Sequence, residues 1–215
     1  GAQIEGIGTS SLTIHGVKEL RPVNVTTIPD MIEAGTFLMA GALMGKITLN
    51  KVDPSHLSMV TQKLQQAGAT LGINDESITI EKCNELQAVD ITTDVHPGFP
   101  TDLQAQWIAL MSVANGSSHI TDTIYNDRFS HVPELNRLGA KITLKKNRAF
   151  VSGVKTLKGA PVMSTDIRAS ASLVIAALIA KGRTDISRIY HIDRGYEKIE
   201  EKFKSLGAEI SRESE

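Results

Sequence analysis

STDIRASASLVIAALIAKG, residues 164–182, reads as one helix, and its composition decides the fold. From Ala169 to Ala180 it is built of Ala, Ser, Leu, Val and Ile, with no polar stripe along its length. A helix that is apolar nearly all round is buried on most sides, whereas a surface helix shows charge along one face. Polarity is confined to the start, where Asp166 and Arg168 stand two residues apart. Two further stretches share this character: IEAGTFLMAGALMG at 32–45 and LQAQWIALMSVANG at 103–116. All three are crowded with Ala, Gly and Ser, whose small side chains let helix axes approach to about 8–10 Å. The sequence therefore predicts three interior helices packed on one another.

A repeat surrounds those helices. Gly-Ala pairs open runs at Gly1, Gly68, Gly139 and Gly207 (GAQIEG, GATLGI, GAKITL and GAEISR), spaced by 67, 71 and 68 residues. Each of the first three is followed by a second alternating run: SLTIHGV (11–17), SITIEKC (77–83) and RAFVSGV (148–154). A further strand ending at Asp comes next, in VNVTTIPD (23–30), VDITTDVHPGFPTD (89–102) and APVMSTD (160–166), and leads into the apolar helix. A short β-rich run follows, in KITLNKV (46–52), SSHITDTI (117–124) and RTDISRI (183–189). An amphipathic helix then closes each unit before the next Gly-Ala, and the Gly suits the left-handed position that ends a helix. Alternation in the strands implies sheets with one face in water. Three α/β units of about 70 residues exceed the usual solenoid repeat and predict closed pseudo-threefold assembly, helices inside and sheets outside. No Pro-, Gly- or Ser-rich linker divides the chain, so one domain is expected.

Bulk properties exclude several function classes. A net charge of −1 over 215 residues gives no reason to expect nucleic acid or an anionic membrane as partner. The single cysteine, Cys83, rules out an intramolecular disulfide framework. The six histidines never fall in a HExxH or paired Cys/His spacing, so no metal site is expected. Neither a membrane-spanning run nor a basic start before an apolar run is visible, and the expected location is cytoplasmic.

Asp30, Asp102 and Asp166 precede the three apolar helices at corresponding places. Aspartate is a strong helix N-cap, and capping accounts for all three. Arg168 is different, because a cation in a first helical turn is disfavoured. It requires an anionic partner, either Asp166 or a ligand. Three helix N-termini brought together would form an electropositive focus suited to anions.

At this level of detail, PDMIEAGTFL (29–38), HPGFPTDLQAQ (96–106), ITDTIYNDRFSHVPELNRLGA (120–140), TDIRASASLVIAALIAKG (165–182) and HIDRGYEKIEEK (191–202) closely resemble the UDP-N-acetylglucosamine enolpyruvyl transferases. The likeness runs along essentially the whole chain in unbroken order. It implies an α/β fold of a particular kind: an inside-out α/β barrel domain of three βαβαββ-type units with buried helices and outer sheets. The chain resembles the carboxyl-terminal half of such an enzyme, with residues 1–17 a hairpin remnant of the neighbouring domain and 18–215 a single domain of three units. That hairpin is expected either to stay loose or to occupy the strand position left vacant beside RTDISRI or GAEIS.

The resemblance implies the first committed step of peptidoglycan synthesis, in which the enolpyruvyl group of phosphoenolpyruvate passes to the 3′-hydroxyl of UDP-N-acetylglucosamine and phosphate leaves. That chemistry needs a base for the hydroxyl, an acid for the methylene carbon, and cations for carboxylate and phosphate. Asp102 matches the family's proton acceptor at that hydroxyl, a natural task for a carboxylate in hydrogen-bond reach. Ile124 matches a position whose main chain contacts the nucleotide sugar. Asp166 and Arg168 match an Asp-x-Arg at the cleft, Asp166 orienting cationic groups and Arg168 holding the substrate anion. Arg194 matches an arginine that binds phosphoenolpyruvate, and Arg128 is a further cleft cation, with a bridge to Asp127 or a helix-start contact as its structural alternative. The planar guanidinium fork suits carboxylate and phosphate alike. His131 and His191 are expected to be local hydrogen bonders. Met31 departs from the pattern, since the family usually has Arg there and Met cannot pair with phosphate. No cofactor or metal is implied, because phosphoenolpyruvate is a cosubstrate. The amino-terminal catalytic domain, with its loop cysteine, is the missing partner; Cys83 does not match that cysteine, and the isolated chain is expected to be inactive. The readings held beside this one are a non-catalytic binding or structural domain fragment and a shikimate-pathway enolpyruvyl transferase.

Overall fold

Two of the three aspartates do what aspartate does best before a helix. Asp30 accepts hydrogen bonds from the amides of Ile32 (2.8 Å) and Glu33 (3.3 Å), and Asp166 from those of Arg168 (2.8 Å) and Ala169 (2.9 Å). Asp102 departs from that expectation. A 3-10 turn at Thr101–Leu103 precedes its helix, so Asp102 sits within the first turn and caps nothing.

The computed structural model describes residues 1–213. The order is β1 (Gln3–Glu5), β2 (Thr13–His15), α1 (Met31–Met44), β3 (Ile47–Asn50), α2 (Ser58–Gln66), β4 (Leu71–Asn74), β5 (Ser77–Ile80) and β6 (Ile91–Thr92). Then come α3 (Gln104–Met111), β7 (Ser117–Thr121), α4 (Val132–Arg137), β8 (Lys141–Lys145), β9 (Arg148–Ser152), β10 (Pro161–Met163), α5 (Ile167–Ile179), β11 (Asp185–Ser187) and α6 (Ile199–Ser205).

The fold is mixed α/β, and the repeat is legible in it. Helices α1, α3 and α5 touch one another pairwise and are buried through most of their lengths. Close approach explains their small residues: a Cβ at Gly41 would lie 2.5 Å from Cγ2 of Ile80, and one at Gly35 would strike the Leu103 methyl. The amphipathic helices α2, α4 and α6 each end at the glycine of a Gly-Ala pair. Gly68, Gly139 and Gly207 take φ of +96°, +89° and +92°. The following alanine amide then reaches back to the carbonyl of Leu64, Leu135 or Phe203, at 2.9, 3.1 and 3.0 Å.

The strands form four sheets, in the orders β1-β2, β3-β5-β4, β6-β7-β9-β8 and β10-β11. In the most complete one, β6 runs parallel to β7 (Ile91 opposite Ile120) and β9 antiparallel to it (Ala149 opposite Ile120). The third unit repeats only the parallel pair, Val162 opposite Ile186. Two expected strands do not form among the described residues. VNVTTIPD carries no strand, and Val23, Val25 and Ile28 stand 72–78% exposed while the outer edge of β3 is unpaired. GAEISR also carries none beyond Gly207, because no strand lies beside it to complete a ladder. The β1-β2 hairpin pairs only within itself and stays loose, so it does not fill the edge of β11.

Candidate functional site

Because Asp102 caps no helix, its carboxylate is free to meet side chains from the other units. Oδ1 of Asp102 lies 2.5 Å from Nη1 of Arg128, in the loop before α4, and Oδ2 lies 3.3 Å from Nη2 of Arg168, in the first turn of α5. Within the chain the anionic partner of Arg168 is thus Asp102, not its neighbour Asp166. Arg128 likewise pairs with Asp102 and not with Asp127. One carboxylate between two guanidiniums leaves a local charge of +1, which favours anions. Burial alone would raise the Asp102 pKa. The charge and hydrogen bond of Arg168, then those of Arg128, outweigh it and hold the carboxyl below its ordinary value.

Asp166 sits beside this cluster in a different role. Its Oδ1 is taken by two helix amides, and its Oδ2 accepts from the hydroxyl of Ser130 at 2.9 Å, which in turn accepts from Thr165 at 2.9 Å. Burial pushes its carboxyl up, but the Ala169 amide, the Ser130 hydroxyl and the Arg168 amide bring the pKa below ordinary. Asp166 therefore contacts the backbone of Arg168 and makes no ion pair with its guanidinium. His131 is fully enclosed nearby, and desolvation brings its pKa down to about 4.

A second layer, which composition and spacing did not single out, holds the Asp102 cluster in place. Thr101 accepts from Nη1 of Arg128 at 3.2 Å and donates to Asp122 at 2.7 Å. Asp122 is wholly buried and also accepts from the hydroxyl of Thr93 (2.8 Å) and the amides of Ile124 (3.0 Å) and Tyr125 (2.9 Å). The available signal was Thr-Asp-Thr directly after an alternating strand, a pattern in which Asp commonly turns the chain by accepting nearby amides.

A concave pocket of about 360 Å³ opens over Asp102. Met31 and Ile32 from the start of α1, His96, Thr101, Asp102 and Ile124 line it. The N-terminal tips of α1, α3 and α5 thus converge, α1 through the pocket wall and α5 through the Arg168–Asp102 pair. Ile124 is on the rim, but its amide is committed to Asp122, so its carbonyl is the main-chain group left for a ligand. Met31 puts a thioether in the pocket wall. Arg194 closes a 3-10 turn at Ile189–Arg194, is exposed, and makes no ion pair among the described residues. Its neighbour Gly195 packs on α5, where an added Cβ would lie 2.8 Å from Ile167 and 3.6 Å from Nη1 of Arg168. Among the described residues no group of His, Cys, Asp and Glu has the arrangement of a metal site.

The family profile described as EPSP synthase (3-phosphoshikimate 1-carboxyvinyltransferase) matches residues 1–203. The UDP-N-acetylglucosamine 1-carboxyvinyltransferase of Prosthecochloris aestuarii is 54% identical over 215 residues, 100% of this chain and 51% of that protein. The enzyme of the same description from Myxococcus xanthus is 54% identical over 214 residues, again 51% of its length. The chain spans about half the length of the curated relatives it matches. Among solved structures, the enolpyruvyl transferase NikO from Streptomyces tendae superposes with a TM-score of 0.86 at 31% identity, over 98% of this chain and 51% of that one. EPSP synthase from Acinetobacter baumannii shares the fold alone, with a TM-score of 0.59 at 17% identity over 75% of this chain and 39% of that one.

Proposed function

The chain belongs to the EPSP synthase family and is a homologue of the UDP-N-acetylglucosamine 1-carboxyvinyltransferases; on that premise we propose that it is the carboxyl-terminal, substrate-binding half of such a transferase. In this reading the three units form one inside-out α/β barrel domain, residues 18–215, and residues 1–17 belong to the neighbouring domain. The whole enzyme moves the enolpyruvyl group of phosphoenolpyruvate to the 3′-hydroxyl of UDP-N-acetylglucosamine, in the cytoplasm, for peptidoglycan synthesis.

The observation that carries the reading is Asp102 itself, an aspartate before an interior helix that caps nothing and faces a pocket between two arginines. Asp102 accepts the proton of the sugar hydroxyl. A carboxylate with its pKa depressed by two guanidiniums is a weak base. Once a substrate carboxylate or phosphate draws Arg128 and Arg168 toward itself, Asp102 loses their stabilising charge and its basicity rises. Arrival of the anion thereby readies the base. Arg194, exposed next to Gly195 where that glycine packs on the start of α5, supplies a further cation for phosphoenolpyruvate, and Ile124 contributes its carbonyl to the sugar. Asp166 fixes the start of α5 and so the direction from which Arg168 reaches the pocket. The acid for the methylene carbon comes from the amino-terminal half, and the chain alone is inactive.

Calorimetric titration of UDP-N-acetylglucosamine into the chain tests this. Binding should weaken about 10- to 100-fold in Arg168→Gln, the range for one charge-assisted hydrogen bond. Co-expressed with an amino-terminal half from a relative, the chain should release phosphate from phosphoenolpyruvate. Asp102→Asn should cut that rate about 10²- to 10⁴-fold. An unchanged rate in Asp102→Asn would refute the assignment of the base.

A further inference from the structure

Tyr196 is almost completely buried, yet it carries a hydroxyl, and a buried phenol needs partners. It finds them on two different interior helices. The hydroxyl lies 2.8 Å from the Thr36 hydroxyl of α1 and accepts from the Gln106 amide of α3 at 3.2 Å. Gln106 also donates to Thr36 at 3.2 Å, closing a triangle of buried polar groups. The third interior helix is reached through the same segment. Gly195 packs so tightly on the start of α5 that its missing side chain is what lets Ile167 and the Arg168 guanidinium approach. Arg168 then has two sides: Nη2 points to Asp102, and Nη1 lies toward Gly195 and Tyr196.

We infer that Tyr196 is a positioning residue for Arg168, its hydroxyl tying the Gly195–Tyr196 backbone to α1 and α3 and so fixing where the guanidinium lies relative to Asp102. Electrostatics agree with this placement. Burial pushes the phenol pKa up, and the Thr36 hydroxyl, the Arg168 charge and the Gln106 amide oppose that push. A purely structural tyrosine would fill volume, for which phenylalanine serves equally well. The hydroxyl is what ties α1 and α3 to the segment that packs on the start of α5.

The inference rests on the transferase reading for its functional meaning, but its test needs no substrate. The carboxyl of Asp102 is titrated by carbon NMR in the intact chain, with its signal assigned by loss in Asp102→Asn. Arg168→Gln should raise the midpoint. Tyr196→Phe should raise it by less, in the same direction, because the guanidinium is present but free to turn away. Thr36→Ser, which keeps a hydroxyl, should leave the midpoint at the wild-type value. A Tyr196→Phe midpoint equal to wild type, with Arg168→Gln raised, overturns the inference whatever happens to thermal stability. Should Tyr196→Phe not fold, Thr36→Val removes one of the two tethers at constant volume and is read in the same way. Failure of sugar-nucleotide binding would count against the proposed function and leave this result untouched.

Discussion

Asp102 and Asp166 occupy corresponding places in the sequence repeat and do opposite things, and what separates them is one 3-10 turn. At Asp166 the carboxylate is spent on helix amides, so Asp166→Ala should destabilise the chain by about 1 kcal/mol, the usual worth of a cap, measured by urea unfolding. Both carboxylates have lowered pKa values, so the unfolded chain binds more protons in the acid range. Their stabilisation is complete above the ordinary carboxylate value of about 4 and is lost as pH falls through the folded values. His131 acts earlier on the acid limb. Its folded pKa of about 4 lies below the ordinary imidazole value, so stability already declines as pH drops below about 6.5. Urea midpoints followed from pH 7 to 3 should fall in two stages, and NMR should show the His131 ring neutral at pH 5.5. The sequence made Asp102, Arg128 and Arg168 legible as charged residues in suspicious places. Which arginine met which aspartate was not legible, because those pairs join positions 26 and 66 residues apart.

At the scale of elements, the interior helices were readable from composition alone, since an all-round apolar helix has only one place to go. The glycine caps were readable too, because few residues other than Gly tolerate the left-handed position. Strands were harder, as alternation shows that a segment could pair but not that a partner is present. VNVTTIPD has the pattern and lies unpaired, leaving Val23 and Val25 in water, and the outer edge of β3 is open as well. Exposed β-branched residues and an open sheet edge each invite association between chains. Val25→Lys should therefore lower concentration-dependent self-association in light scattering without shifting the melting temperature by more than a degree or so. Packing between elements gives the opposite sensitivity. Gly41→Val should destabilise by about 1–3 kcal/mol, the cost of overpacking, because the new side chain meets Ile80 across the α1–β5 contact.

For the whole molecule, threefold repetition explains both the core and the site. Each unit contributes one interior helix, the start of α1 and the turn before α3 line one pocket, and the first turn of α5 joins them through the Arg168–Asp102 pair. Asp102 from the second unit, Arg168 from the third and Met31 from the first meet there although none is near another in sequence. Among the described residues the third unit's sheet holds only the parallel pair β10-β11, whereas in the second unit β9 and β8 extend the sheet beyond β7. Every residue from Gly1 to Asp30 is exposed. A lysine-directed protease should therefore cut after Lys18 as readily as it would in an unstructured peptide, trimming away the β1-β2 hairpin and leaving a core that melts unchanged.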